Sequence, residues 1–539
     1  MHVRSFCLLF WVLVCGIATS GAEPVRSPVN QVFQFSVTDS VPYEGSTTPK
    51  TGTLYLWIPE SCAKLRGLVI LGNNVPEHML AGHPAIREAC RANDLGLVWS
   101  VPTFWNFAKQ MKGREAEQVA FLQKLLDGLA SVSGYDEVSR VPWLPIGESG
   151  HLLMVCGLID QQPERCIAGI CVKNPHSPKN RTVPLLWTLG TAQEWGQKDK
   201  DIRTEWNAAG PGYEGWVKGR AESSWPLSMV IEPGTGHFSC SDALARYFGA
   251  TIGAAAAARI AEDGSLRPVD LNAGFLAHLP LTPGEDLRII PYAVASPEER
   301  KRAWFFTESL AREAQDISRT NWQANTQLVG LVPVENCESK PFSFNSVTEL
   351  LVVTESTFSV KGTLLPEIPD GFVGAGEKLA STPGEPVVEW ICGPYAPVGN
   401  GTFRVALDRT WKSGGGNYLI ARKDGDDKVR TSVQPCAVKL VENKEGTPQV
   451  LTFDKIPDVP AGTVSVPLSA KSDSGLPVQF SVLTGPAVIE NGNLVFTPIP
   501  PRAKFPVEVT VAAWQWGRPT DPKVRMSEFV KQTFRIVEP

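Results

Sequence analysis

Apolar and polar positions alternate in two distinct styles along this chain. Between about residues 31 and 260, short apolar runs are separated by amphipathic stretches. Gln31–Val37 and Thr53–Ile58 predict two early strands. Gly67–Leu71 (GLVIL) and Leu95–Val101 (LGLVWSV) are unbroken apolar runs, the pattern of strands buried on both faces. From Arg114 to Val132, Val119, Leu122, Leu125, Leu126 and Leu129 recur at helical spacing with Glu and Lys between them, which predicts an amphipathic helix. Further strands are expected at Val141–Ile146, Ile167–Val172, Val183–Leu189 and Pro226–Ile231, and helices over His151–Ile159 and the Ala-rich Ser241–Ile260. Such β–α alternation implies a mostly parallel sheet with helices on both faces.

After residue 260 the style changes. Residues 261–340 are mixed, with a charged amphipathic helix expected over Pro297–Arg319. Beyond about 341, helical periodicity fades. Short β-branched runs such as Leu350–Val353, Phe403–Leu407, Val464–Ala470 and Val507–Ala512 alternate with Gly, Pro and Asp turns, which predicts sandwich-type all-β domains. Gly446–Pro448 reads as a linker between two of them. The expected organisation is a leader at 1–22, an α/β domain at 23–260, an extension at 261–340 packed on it, a β-rich domain at 341–446 and a β-sandwich at 447–539.

Composition narrows the function classes. With 43% apolar and 20% charged residues, the chain has the make-up of a folded protein. A net charge of -5 argues against coating nucleic acid or anionic membrane, which need excess Lys and Arg. Ser5–Ala18 is almost wholly apolar, follows Arg4 and leads into small residues, the signature of a secretory signal peptide. That predicts a secreted, periplasmic or extracellular protein with no membrane span. Nine of the 11 Cys follow the leader, so in an oxidising compartment at least one thiol is left unpaired. No Cys-x-x-Cys pair is present, and no phosphate-binding or dinucleotide fingerprint, so no metal or cofactor is expected.

The chemistry concentrates at Val141-Pro-Trp-Leu-Pro-Ile-Gly-Glu-Ser-Gly-His151. An apolar strand runs into Gly147-Glu148-Ser149-Gly150 and a helix follows at once. A nucleophile elbow has this layout, with a strained Ser exposed at the turn. Ser149 is therefore the candidate nucleophile, and the Gly150 N–H a candidate oxyanion donor. His237, in Glu232-Pro-Gly-Thr-Gly-His237 after the last apolar strand, is the candidate general base. Glu194, just past the strand Val183–Leu189, is the candidate acid, with Asp199, Asp201 and Glu205 competing. A second oxyanion donor is expected from Asn73 or Asn74, in the loop after Gly67–Leu71. His151 is expected to pack, and His78-x4-His83 is disfavoured as a metal pair by Gly82 and Pro84.

These motifs, in this order, resemble the α/β-hydrolase fold in its esterase, lipase and dienelactone-hydrolase-like branch, over Gly67 to about Ile260. The resemblance implies hydrolysis of a carboxylic ester through a Ser–His–acid triad and an acyl-enzyme, without a cofactor. Two departures stand out: His151 replaces a small residue, and Gln193 stands where many relatives carry Asp. They sustain a second reading, a surface- or glycan-binding protein on a degenerate hydrolase scaffold. The stretch Val450–Val537 resembles a bacterial immunoglobulin-like domain. By analogy with such appendages, the expected partners are a small-molecule or polysaccharide ester, with the β domains contacting glycan or a cell surface. Trp514 and Trp516 are candidate sugar platforms, and Trp206, Tyr213 and Trp216 a candidate aromatic lid.

Overall fold

A computed structural model describes residues 31–41, 50–103, 115–173, 176–191, 201, 209–222, 224–281, 284–319, 324–344, 347–399 and 401–538. The leader expected at 1–22 lies outside them. The first half builds one eight-stranded sheet. Its strands are β1 (Phe35–Val41), β2 (Lys50–Trp57), β3 (Gly67–Leu71), β4 (Leu95–Val101), β5 (Trp143–Glu148), β6 (Gly169–Val172), β7 (Leu185–Gly190) and β8 (Leu227–Glu232). Spatial order is β1-β2-β4-β3-β5-β6-β7-β8. The first hairpin is antiparallel, β2 pairs antiparallel with β4, and every later pairing is parallel. This is the α/β-hydrolase layout.

Helices α1 (Val75–Gly82), α2 (Pro84–Ala92), α3 (Glu115–Ser133), α4 (Leu152–Gln161), α5 (Ala209–Arg220) and α6 (Asp242–Arg259) connect or flank the strands. Strands β3, β4 and β5 are buried at every position, because helices cover both faces. Leu122, Leu125, Leu126 and Leu129 of α3 are buried, so its apolar stripe is the face that meets the sheet. Observed strand ends lie within a few residues of those expected.

Residues 261–340 depart from expectation in two respects, the second being that strands of the following β unit begin at Val329. The helix expected over Pro297–Arg319 is only Glu308–Ile317, and Ala303–Phe305 is instead a buried strand. That strand pairs antiparallel with Phe275–Ala277. Three consecutive core side chains, Ala-Trp-Phe, outweigh the charged residues on either side that favour helix. The buried Arg220 donates to the carbonyls of Arg302 and Arg300, tying α5 to this segment.

Beyond 328 the chain is all β. One four-stranded sheet holds Val329–Glu335, Thr357–Leu364, Thr402–Val405 and Tyr395–Gly399. A five-stranded sheet holds Cys337–Phe344, Val347–Val353, Ser432–Leu440, Tyr418–Lys423 and Val387–Cys392. Further sheets from Leu451 to Val537 form a second β unit. Trp514 and Trp516 are fully buried there, their indole N–H groups donating to Ser481 and to the Thr354 carbonyl, so neither offers a sugar platform.

The nine cysteines among the described residues are all free thiols, eight of them buried. Among the described residues, no helix is long and apolar enough to cross a membrane.

Candidate active site

Ser149 stands at the carboxyl end of β5, in the middle of the sheet, with φ 54°. A non-glycine residue held in the left-handed region costs about 1–3 kcal/mol, and survives only where its surroundings impose it. Two features impose it here. A Cβ on Gly147 would lie 2.5 Å from the His151 carbonyl oxygen, so strand and helix meet too closely for any side chain. On the other side, the buried Glu77 carboxylate accepts the Glu148 N–H at 2.7 Å, pinning the residue before Ser149.

His237 faces the serine. Its Nε2 lies 2.8 Å from Ser149 Oγ. A main-chain hydrogen bond with Lys173 also bears on the ring. Burial, and then the nearby Lys173 ammonium, push His237 down to about 4, against a smaller opposing effect of that main-chain hydrogen bond. At neutral pH the ring is neutral, and its Nε2 stands within reach of the Ser149 proton.

Lys173 has an unusual setting. It follows β6 with φ 51° and is buried. Its N–H donates to Thr188 Oγ1 of β7 at 3.1 Å. Its ammonium donates to Glu232 Oε2 at 2.6 Å and to Thr235 Oγ1 at 2.7 Å. Burial raises the Glu232 carboxyl, but the Lys173 ammonium and the bonds from Lys173 and Ser241 outweigh it, and its pKa is lowered. One lysine thus ties together the ends of β6, β7 and β8.

Glu148 is fully buried beside Ser149, its Oε1 3.5 Å from His237 Nε2. It sits on the serine side of the ring, not the Nδ1 side where a triad carboxylate belongs. His151 does more than pack: its Nδ1 lies 2.7 Å from Glu77 Oε2. Glu77 is the residue that sequence reasoning missed altogether. It sits in α1 and serves the Glu148 N–H, the Asn74 N–H and His151 together.

The oxyanion candidates divide. Beside Gly150, nothing lies within 4 Å of where a Cβ would be, so its turn opens on free space. The Asn73 N–H, in contrast, donates to Thr103 Oγ1 at 2.6 Å, and the Asn74 N–H to Glu77 Oε2 at 2.9 Å. Their amide side chains donate to Ser413 Oγ and to the Glu148 carbonyl. Both asparagines therefore build the wall around the elbow with their donors engaged there, contrary to the expectation of a donor aimed at substrate.

Glu194, Asp199, Glu205 and Trp206 lie outside the described residues. Tyr213 and Trp216 stack at 5.5 Å, with Trp216 buried. His78 and His83 are no metal pair. His78 is buried among Trp99 and Trp390 and pushed by that burial down to about 3, while His83 caps α2 and meets Asp242 at 3.1 Å. Among the described residues, no group of three His, Cys, Asp or Glu side chains is arranged to hold a metal ion.

No family model matches the chain, and no curated protein matches it. Several solved structures are similar at low identity. A thermostable esterase is 11% identical over 37% of this chain, with a TM-score of 0.26; the match takes in 54% of that esterase, about half its length. A fluorophosphonate-binding serine hydrolase of Staphylococcus aureus is 10% identical over 41% of this chain and 98% of its own, with a TM-score of 0.27. A poly(3-hydroxybutyrate) depolymerase of Bordetella parapertussis is 16% identical over 44% of this chain and 93% of its own, with a TM-score of 0.26.

Proposed function

We propose that this chain is a serine hydrolase that cleaves carboxylic esters through an acyl-enzyme. The observation that carries the reading is Ser149 Oγ at 2.8 Å from His237 Nε2, on an elbow that holds Ser149 at φ 54°. In the first step Ser149 Oγ attacks the ester carbonyl carbon while its proton passes to His237 Nε2. The Gly150 N–H, next to the nucleophile at the start of the following helical turn, faces the oxygen that becomes negative. As the tetrahedral intermediate collapses, the C–O bond to the alcohol breaks and His237 returns the proton to the leaving alkoxide. Water then repeats the sequence on the acyl group and frees Ser149.

For substrate we propose a carboxylic ester, with acylated polysaccharide the first class to assay, on the analogy of β domains appended to secreted enzymes. The apolar Ser5–Ala18 stretch supports secretion. Intact mass after treatment with a fluorophosphonate probe tests the reading. One adduct on the wild type that vanishes in Ser149→Ala, with loss of p-nitrophenyl ester turnover, is the expected result. Folded wild type that takes up no probe and turns over no ester would overturn it.

A further inference from the structure

Resting on the hydrolase reading, we propose that residues 413–416, a loop of the first β unit, form a specificity-determining wall of the Ser149 site. The loop is Ser413 followed by three glycines. Consecutive glycines ordinarily make a loose turn. Here close approach demands two of them. A Cβ on Gly415 would fall 2.8 Å from Asn73 Nδ2, and one on Gly416 would strike the Tyr418 ring and meet Val75 at 3.0 Å. The loop is also held along its length. The Ser413 N–H donates to the Thr410 carbonyl at 3.0 Å, the Cys392 thiol to the Gly416 carbonyl at 3.1 Å, and the Val438 N–H to the Asn417 carbonyl at 2.8 Å. Gly414 differs: a Cβ there would meet nothing within 4 Å, so this edge of a fixed loop opens on free space.

Two chains of contact tie this loop to the chemistry. On the serine side, the Asn74 side chain donates to the carbonyl of Glu148, the residue before Ser149, at 3.2 Å. Its neighbour Asn73 donates through its side chain to Ser413 Oγ at 3.0 Å. On the histidine side, the Phe238 ring meets the His237 imidazole at 4.7 Å, and Tyr418 stacks on Phe238 at 5.0 Å. Residues 413 and 418 of one short segment thus border the nucleophile and its base. Ser413 is half-buried, and a hydroxyl that accepts one hydrogen bond still has its own proton to give. A few polar groups placed in a pocket wall orient the ligand. An ester or hydroxyl oxygen of the substrate is the acceptor that this chemistry suits.

The test reads selectivity and occupancy separately. Ser413→Phe thickens the wall, and Ser413→Leu does so more mildly. Both are compared with wild type on p-nitrophenyl esters from acetate to octanoate, and on acetates of methanol, benzyl alcohol and glucose. In one series kcat/KM for the largest ester should fall at least about 10-fold relative to the smallest, and the series affected tells which half of the ester meets the loop. Val398→Phe, at an exposed position of the same unit, is the control. Occupancy is read without catalysis. Eight of the nine described cysteines are buried, so Ser413→Cys can take a trifluoromethyl thiol label selectively. Its 19F signal should shift with octanamide or N-benzylacetamide, while the same label on Val398→Cys stays still. Ratios unmoved in folded Ser413→Phe and Ser413→Leu overturn the proposal, as does a label at 413 silent to both amides. A shifting label in a protein that cleaves no ester sinks the esterase reading alone; ester turnover with unmoved ratios sinks the wall alone.

Discussion

Replacing Gly190 by Ala adds one methyl group at the most crowded point of the site. Gly190 ends β7 and pairs in register with Glu232. The new Cβ would lie 1.8 Å from the Thr235 carbonyl oxygen and 2.6 Å from its carbon. A carbon–oxygen contact relaxes to about 3.3 Å, so the loop must retreat by about 1.5 Å. Thr235 anchors Lys173 and lies two residues before His237, so the shift is passed along the loop to the imidazole. A misplacement of about 1 Å in a reacting group costs about 100-fold in rate. We therefore expect kcat for p-nitrophenyl acetate to fall about 100-fold while KM stays within about threefold. Overpacking should lower stability by about 1–3 kcal/mol, read by urea denaturation. Gly215→Ala is the control: in α5 its Cβ meets nothing within 4 Å, so turnover is kept and stability rises by about 0.4–1 kcal/mol. Wild-type turnover in a folded Gly190→Ala protein would refute the claim that this loop sets the position of His237.

Three further predictions follow from other parts of the molecule. His237 sits at about 4, so kcat/KM should rise with pH through about 4 and level off above it, well below the ordinary 6.5 of histidine. The same depression means the unfolded chain binds the proton first: as pH falls from 6.5 to 4 the folded state loses about 3 kcal/mol, a loss His237→Phe should not show when urea curves are compared. Glu77→Gln leaves one oxygen and an amide facing the donors of Glu148, Asn74 and His151; a cost of about 1–3 kcal/mol and slower fluorophosphonate labelling are expected, and unchanged labelling would remove Glu77 from the elbow's support. Titration of thiols in the processed chain, unfolded without reductant, should return nine; seven or fewer would show a disulfide.

Much of the fold was legible because parallel strands buried on both faces leave unbroken apolar runs, and Gly67–Leu71 and Leu95–Val101 appear within the observed ends. The elbow was legible for a different reason. Close approach of β5 and α4 demands Gly147, and that demand is local in sequence. His237 was singled out from its place after the last strand, and its ring does lie beside Ser149. What could not be read is whatever depends on distant burial. Lys173 looks like a surface charge until Glu232, 59 positions later, is seen 2.6 Å from its ammonium. Glu77 looks like an exposed helix residue until its carboxylate is found beneath the elbow, 71 positions from the N–H it holds. Asn73 and Asn74 read as oxyanion donors because their loop is the right one; whether an N–H points inward depends on Thr103 and Glu77, which periodicity does not reveal.

Distant residues also close the site from above. The first β unit does not hang loosely from the α/β half. Ser413 accepts from the Asn73 side chain, Tyr418 stacks at 5.0 Å on Phe238 beside the histidine, and the Gly393 N–H donates to His78 of α1. A Cβ on Gly234, in the His237 loop, would strike the Thr431 carbonyl at 2.1 Å. The second β unit returns to the opposite side of the α/β half. There Arg502 pairs with the buried Glu137 at 2.9 Å, its N–H donates to the Tyr135 hydroxyl, and the Gly485 N–H donates to the Phe33 carbonyl. Arg409 links all three parts, donating to the carbonyls of Gln31 and Val482. A single apolar core runs through these junctions. Units joined in this way cannot swing as tethered binding modules do, since each junction buries polar groups whose partners lie across it. Residues around 413–418 are thereby built into the wall of the Ser149 site. On the hydrolase reading proposed above, the first β unit would shape the substrate pocket as much as the scaffold that carries Ser149.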